Sequence, residues 1–327
     1  MNHPPTSASS ALVSRRAALR LLGLAGAGTW LGSSLARAAD AATPAAPSLG
    51  GRQPGFYRFA IGSIEALAVN DGGFAVPAEK SPIGVGQPAQ KIAEALRTAF
   101  LPADTVRLPF NVLVVRLGSE LVMIDSGCGP AFGPAGGRLV ASLAAAGVKP
   151  EQISAIVVSH LHGDHFGGLL DANGEAVFKH AKLFLHRTEH AHFSAKGDEQ
   201  VQKYLKAFAG KWQLVSGGEK LFPGLEIVET FGHTPGHIAV AVTSGSDQLF
   251  HVVDVVHHHA LSFQHPDWVM QYDVQSDVAI ATRKRILDRC AADRSRIFGA
   301  HLPFPALGRV RRAGAAFEFV SEPWVSA

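Results

Sequence analysis

The chain has 327 residues, 47% of them hydrophobic and 17% charged, a composition that supports a large buried core and argues against disorder. Its formal net charge is only +3 with 16 histidines counted neutral, and no Lys/Arg block is interleaved with aromatics, so a nucleic-acid surface is excluded. Cys128 and Cys290 lie far apart, give neither a CxxC zinc motif nor a disulfide framework, and read as two separate thiols in preference to a pair.

In chain order, the stretch from Ser14 to Ala38 combines paired arginines, an apolar run and a small-residue end, the layout of an export signal. Arg15-Arg16 with Leu19 and Arg20 resembles a twin-arginine signal, although Ala18 stands where an aromatic is common. The apolar run is broken by glycines and Thr29 and falls short of the ~20 residues that span a bilayer. The expectation is a signal over residues 1–39 cleaved near Ala38 or Ala39, a flexible Pro/Ala-rich linker over 40–54, and a mature domain over 55–327. That domain would reside in the periplasm or be secreted, with no stable membrane span after signal removal.

Within the domain, "GFYRFAIGSIEALAVNDG" and "FNVLVVRLGSELVMIDSG" read as hairpin-like strand pairs, the second turning at Gly118-Ser119. "GRLVASLAAAGV" has helical spacing, and "ISAIVVSH" is a buried strand that runs into a histidine-rich turn. Further strands are expected at Lys182 to Leu185, Leu225 to Thr230, Ile238 to Thr243, Leu249 to Val253 and Arg296 to Gly299. Helices are expected around Thr188 to Ala195, Val201 to Ala209 and Asp277 to Ala291. Strands in two groups with helices interspersed predict a layered α/β sandwich rather than a doubly wound parallel sheet.

The turn "SHLHGDHFGG" carries His160, His162, Asp164 and His165. Alternate residues of an extended turn point the same way, so His160 and His162 can face one cation while Asp164 and His165 project beyond it. Each ion needs three or four protein ligands, so further ligands are required downstream. "TFGHTPGH" offers His233 on a tight turn, "LFHVVDVV" offers Asp254 in an apolar run where an unpaired carboxylate would be costly, and "IFGAHLPFP" offers His301. A lone His or Asp at a strand end is usually structural; the joint pattern after HxHxDH favours metal.

"HLHGDH", "GHTPGH", Asp254 after its apolar strand and "GAH" resemble the ordered motifs of the metallo-β-lactamase fold hydrolases, over nearly the whole mature chain. "TFGHTPGHIAVAVTSGSDQLFHVVDVVHH", "YDVQSDVAIATRKRIL" and "GAHLPFPALGRV" further resemble the methyl parathion hydrolase group, whose members hydrolyse organophosphate triesters, lactones or aryl esters. The resemblance implies an αββα sandwich. It implies that His160, His162 and His233 bind one metal and Asp164, His165 and His301 the other, with Asp254 shared. Asp125 in "LVMIDSG" would support the metal turn without ligating, and His237 would hydrogen-bond beside it. Phe132 and Phe193, with Phe208 as a weaker third, align near an aromatic substrate mouth, and one or two of His257, His258 and His259 would face substrate. His180, His186, His190 and His192 are expected at the surface.

Two divalent ions, zinc first and Mn, Co or Fe as alternatives, would share a water, lower its pKa and hold the hydroxide for in-line attack, with Asp164 and Asp254 as the catalytic carboxylates of the centre. No serine or cysteine nucleophile is required. The expected substrates are small aryl phosphotriesters, lactones or aryl esters, and the family resemblance allows a homodimer. A true β-lactamase is disfavoured because it would not use Asp254 as a bridge. A flavodiiron-type oxidoreductase would need a flavin domain, and a single-iron persulfide-oxidising relative would need fewer ligands. The alternative function is a metal-binding member of the fold with a redox or non-catalytic binding role.

Overall fold

The computed structural model describes residues 55–324; the export signal and linker expected over 1–54 lie outside the described residues. The first sheet runs in sequence order: β1 (Phe56–Ile61), β2 (Ile64–Pro77), β3 (Thr105–Leu117), β4 (Glu120–Ile124), β5 (Ala155–Val158), β6 (Lys182–His186) and β7 (Trp212–Val215). Its first four strands form an antiparallel meander and the remainder add in parallel. The second sheet holds β8 (Lys220–Phe222), β9 (Leu225–Glu229), β10 (Ile238–Ser244), β11 (Asp247–His251), β12 (Arg296–Phe298), β13 (Leu307–Ala313) and β14 (Ala316–Ser321). Its one parallel pair, β11 with β12, requires a crossover, which the helix between them provides.

Alternation along the first sheet assigns side chains to two layers. Val122 and Ile124 of β4, and Ala155 and Val157 of β5, enter the core between the sheets with Ile227, Val240 and Val242. Their neighbours Leu121, Met123, Ile156 and Val158 face the opposite way, into a core closed by helices. Because both faces are buried, β5 reads as an unbroken apolar run rather than as alternating polarity. Helix α1 (Ala89–Thr98) packs apart from these, α2 (Leu139–Ala145) covers β2, and α3 (Gly163–Phe166) forms part of the histidine turn. Helices α4 (Arg187–Lys196) and α5 (Glu199–Ala207) follow β6. The short α6 (Leu261–Gln264) precedes α7 (Ser276–Ala292), which packs on β13 and buries Ile286, Leu287 and Cys290. The layers are helix, sheet, sheet, helix, the αββα sandwich expected.

The strands and helices expected in the second half are present, and the β3/β4 turn falls at Gly118-Ser119. Other elements differ. Strand β2 continues past Gly72 to Pro77, because a bulge between Asn70 and Gly72 carries the ladder through what reads as a terminating "NDG". Gly72 (φ 139°) permits it, since a Cβ there would lie 2.2 Å from the Ala135 carbonyl oxygen. Strand β11 stops at His251, two residues early, as Val253 turns to φ 48° and the chain enters a 3-10 turn carrying Asp254. Helix α1 is additional to the expected elements, although Ile92, Ala95 and Leu96 have i, i+3, i+4 spacing; they pack with Leu108, Trp268 and Met270 in a third small core.

This topology concentrates chemistry at one edge. Asp125 follows β4, His160 follows β5, Asp254 follows β11 and His301 follows β12, so the parallel pairs β4/β5 and β11/β12 release their chains into the same cleft. Buried Asn111 of β3 ties the sheets together there, its Nδ2 donating to the carbonyls of Ala300 (3.0 Å) and Leu302 (2.8 Å). Asn111→Ala should cost about 2–4 kcal/mol in urea unfolding, because it strands buried acceptors beside His301. A loss under about 0.5 kcal/mol would show that these carbonyls find other donors.

Candidate metal centre

The histidine turn is held from behind by Asp125, which adopts φ 64° immediately after β4. The Ser159 N–H donates to its Oδ1 (2.7 Å) and the Ser159 hydroxyl to its Oδ2 (2.9 Å), while the His165 Nδ1 sits 2.8 Å from the same Oδ2. With its proton committed to Asp125, the Ser159 Oγ accepts from His160 Nδ1 at 3.0 Å. His301 Nδ1 donates to the Pro109 carbonyl at 2.8 Å, and His233 Nδ1 to Asp273 Oδ1 at 2.9 Å. Four imidazoles therefore commit Nδ1 to an oxygen on the outer side and turn Nε2 inward, towards Asp254. His162 is reversed: its Nδ1 points in, 3.2 Å from His160 Nε2 and 2.9 Å from His233 Nε2.

His160 and His162 are held low by burial, whereas burial alone would lower His233 but Asp254 and Asp273 push it up to about 9, so a cation bound among these three nitrogens would take the place of the His233 Nε2 proton. Lone pairs held at such distances repel unless a cation lies between them, which makes them a natural metal-binding set. Asp254 joins this set to a second. Its Oδ2 lies 3.2 Å from His233 Nε2 and 3.8 Å from His160 Nε2, while its Oδ1 lies 3.4 Å from His165 Nε2 and 3.2 Å from His301 Nε2. Asp164 Oδ2 completes the second group, 3.6 Å from His165 Nε2 and 3.5 Å from His301 Nε2. Ligand atoms within each trio, His160/His162/His233 and Asp164/His165/His301, all lie within 4.8 Å of one another.

The donor chemistry fits two divalent cations. His165 Nε2 and Asp254 Oδ1 are buried without a hydrogen-bond partner, a costly state for polar atoms that a ligated cation would relieve. Burial, helped by the neighbouring imidazoles, holds His160 and His162 well below the usual histidine range, in the neutral form a metal requires. Burial alone would raise Asp254, but the imidazoles of His301, His165 and His257 hold it well below the carboxylate range. All seven residues expected as ligands thus converge on one point.

His237 hydrogen-bonds beside the centre as expected: its Nδ1 contacts Thr230 and its Nε2 accepts the Asp254 N–H at 3.2 Å. Among the residues expected to meet substrate, Phe132 and His257 line the cavity over the centre. The other three do not. Phe193 packs against the core beneath the helices, and Phe208 is buried there edge-on to Trp212, because α4 and α5 turn these faces inward. His258 faces inward and accepts the backbone N–H groups of Ala260 (3.1 Å) and Leu261 (3.2 Å) at the start of α6. His259 stacks on it. His180 is exposed, but His186 is buried, accepting the Thr188 N–H ahead of α4 and contacting Glu229, while His190 and His192 are half-buried. Cys128 and Cys290 are separate buried thiols; burial pushes both up, Cys290 to about 12, which makes them poor nucleophiles.

Three residues of the site carry no signal in the sequence. Asp273 orients His233 and is itself held by buried Arg283, which also donates to the carbonyls of Val255, Pro266 and Trp268. Glu189, fully buried in the first turn of α4, accepts the N–H of Leu161, the hydroxyl of Thr234 and the N–H of Gly236; burial pushes it up to about 6. None has a motif spacing, and each acquires its role only through tertiary contact.

Above the centre opens a cavity of about 510 Å³, walled by Phe74, Val76, Leu108, Phe132, Met270 and Tyr272. Its polar lining comes from the histidine and aspartate cluster. Among the described residues no lysine or arginine lines it.

A family model described as the metallo-beta-lactamase superfamily matches residues 106–301, and the chain belongs to that family. Among curated proteins it is similar to an N-acyl homoserine lactonase of Bacillus cereus, 26% identical over 164 residues, covering 50% of this chain and 62% of the relative. It is also similar to the N-acyl homoserine lactonase AiiB of Agrobacterium fabrum, 26% identical over 168 residues, covering 42% of this chain and 59% of the relative. The matched region thus spans about three fifths of the length of these relatives. Among solved structures, AidC, a dizinc quorum-quenching lactonase, superposes with a TM-score of 0.78 at 27% identity over 83% of this chain and 99% of that one. The hydrolase AbOPH of the beta lactamase superfamily gives 0.76 at 25% identity over 84% and 100%.

His258 supplies a pH dependence separable from the metal centre. Burial, and secondarily the charge of His259, lower it from 6.5 to about 3. A histidine depressed in the folded state contributes stability that is complete above pH 6.5 and is lost progressively as pH falls towards 3. His258→Asn keeps an acceptor for the α6 N–H groups and removes the titration. Between pH 7.5 and 5.0 the metal-free parent should therefore lose about 2 kcal/mol more unfolding free energy than the variant. Parallel losses in urea titrations at the two pH values would show that His258 does not titrate in this way.

Proposed function

We propose that the protein is a dinuclear metal-dependent hydrolase acting on neutral cyclic or aryl esters, with lactones as the leading substrate class. The observation that carries this reading is the convergence of inward-facing ring nitrogens and the Asp164 carboxylate around Asp254, opening directly into an apolar cavity. His160, His162 and His233 would hold one ion, Asp164, His165 and His301 the other, and Asp254 both. When bound, two divalent cations, zinc foremost, supply Lewis acidity that activates water and polarises a carbonyl or phosphoryl oxygen.

The chain's own residues define the remaining work. Asp125, Ser159, Asp273 and the Pro109 carbonyl fix the ring orientations in advance, so little reorganisation is needed as charge develops. Phe132 and its wall partners exclude water and hold the apolar part of a substrate over the centre. His257 stands at this boundary, stacked on His301, with its Nε2 3.2 Å from Asp254 Oδ2 and close to His233, so it belongs to the edge of the centre as well as to the cavity lining. Away from the centre the wall carries no lysine or arginine among the described residues, so a charged group lying against the wall would be desolvated without a partner. Likeness to lactonases supports lactones first; an aryl phosphotriester is neutral too and suits the same cavity. We further propose that residues 1–39 direct export to the periplasm, which cell fractionation with and without Arg15-Arg16→Lys-Lys would test.

The deciding experiment measures metal content and turnover on one mature preparation, with an N-acyl lactone, an aryl ester and an aryl phosphotriester side by side. About two metals per chain with lactone turnover fastest is expected. Metal without hydrolysis of any of the three would favour the binding or redox alternative. Asp254→Ala should lose at least one metal and about 10²-fold or more in kcat, since it removes the carboxylate that lies between the two ligand sets and would serve both; two retained metals with full turnover would remove Asp254 from the centre. Phe132→Ala should shift the ranking among the three substrates by about tenfold, on the order of 1.4 kcal/mol, without changing metal content.

A further inference from the structure

The three histidines of the first set come from two turns about 70 residues apart, His160 and His162 after β5 and His233 before β10. Their inward nitrogens can share one ion only if the turns keep a fixed separation. Backbone pairing contributes one tie, from the Ile238 N–H to the Ser159 carbonyl at 3.1 Å. Glu189 contributes a second from a third element. Its Oε1 accepts the N–H of Leu161 at 2.8 Å, between the two histidines of the first turn. Its Oε2 accepts the Thr234 hydroxyl at 2.7 Å and the Gly236 N–H at 2.9 Å, on the second turn just after His233. The second turn lies so close to α4 that a Cβ on Gly236 would sit 2.2 Å from the Glu189 nitrogen.

We infer that Glu189 is the positioning residue of the three-histidine site, a buried carboxylate whose two oxygens set the distance between the turn of His160 and His162 and the turn of His233. This rests on the two-cation reading above. The Asp164/His165/His301 set receives none of these three hydrogen bonds, so the effect should fall on one ion and not the other. An acceptor-only side chain is required. Glutamine would turn an NH2 either towards the Leu161 N–H or towards the Gly236 N–H, and one tether would be lost whichever way it flipped.

The test is a zinc competition titration of the purified full chain against a chromophoric chelator, resolving two binding steps. His233→Ala and His301→Ala serve as references that identify which step belongs to which set. In Glu189→Gln the step removed by His233→Ala should weaken 10–100-fold while the other stays within about threefold. Thr234→Val, which removes one of the three hydrogen bonds, should weaken the same step by a smaller factor. A merely structural role would weaken both steps alike; that result, or no change in either, overturns the inference. Should Glu189→Gln fail to fold, Thr234→Val decides between the two roles by the presence or absence of the split. A parent chain that binds fewer than two zinc ions would instead refute the two-cation reading, whereas two tight ions in the parent with an unsplit variant would sink Glu189 alone.

Discussion

Five imidazoles and two carboxylates crowd around one buried point, their ligand atoms turned inward, and without a metal the carboxylates, against the effect of burial, hold His165, His233 and His301 above the usual histidine range. In a low-dielectric interior that arrangement is costly without compensating positive charge. The outward contacts of the same side chains show that it is a built feature. Each of His160, His165, His233 and His301 has its Nδ1 proton committed to an oxygen on the far side. The tautomers are thereby fixed by groups that never approach the centre, and Ser159, Asp125, Asp273 and Pro109 are as much part of the site as the histidines. Asp125 tolerates a left-handed backbone to serve two of these contacts, strain placed where it orients the turn.

The sandwich explains how residues from 125 to 301 reach one point. Side-chain alternation in β3, β4 and β5 sends apolar groups to two different cores, which fixes the register of each strand against its neighbours. With register fixed, the position at which each strand releases its chain is fixed too, and the parallel pairs β4/β5 and β11/β12 release theirs at a common edge. The ligands lie on turns, but on turns whose starting points are set by buried sheet. Rigidity is supplied by the layers and chemistry by the connections.

What was legible in the sequence follows from this division. Ligand residues on tight turns keep local spacing, as in His160, His162, Asp164 and His165, and so could be read as a set; so could apolar periodicity in β5, β10 and α7. Contacts made across the fold leave no such trace. Asp273, Arg283 and Glu189 are ordinary polar residues until tertiary structure places them, and the assignments of Phe193 and Phe208 differ from the structure for the same reason. Phe132 lies in a kinked, glycine-rich 3-10 segment over Gly129–Ala135 and faces the cleft, whereas Phe193 and Phe208 belong to α4 and to the end of α5, where helical geometry directs them into the core. His258 misleads in a related way. Successive residues diverge in direction, so one or two of the three adjacent histidines are expected to face substrate; His257 reaches the cavity, while His258 is spent on the start of α6.

The cavity and the centre beneath it impose opposite demands. The centre is polar and charge-dense, while the wall of Phe74, Val76, Leu108, Met270 and Tyr272 offers no charge to a ligand. A molecule that satisfies both must bring one polarised oxygen and an otherwise apolar, uncharged body. The wall is drawn from the third small core, where α1 and the segment around Trp268 support Leu108 and Met270 from behind. That core is separate from the two that fix the ligand turns. Side chains of the wall can therefore change with little effect on the register of β4, β5, β11 or β12, which leaves the shape of the cavity free to vary while the geometry of the candidate metal ligands is retained.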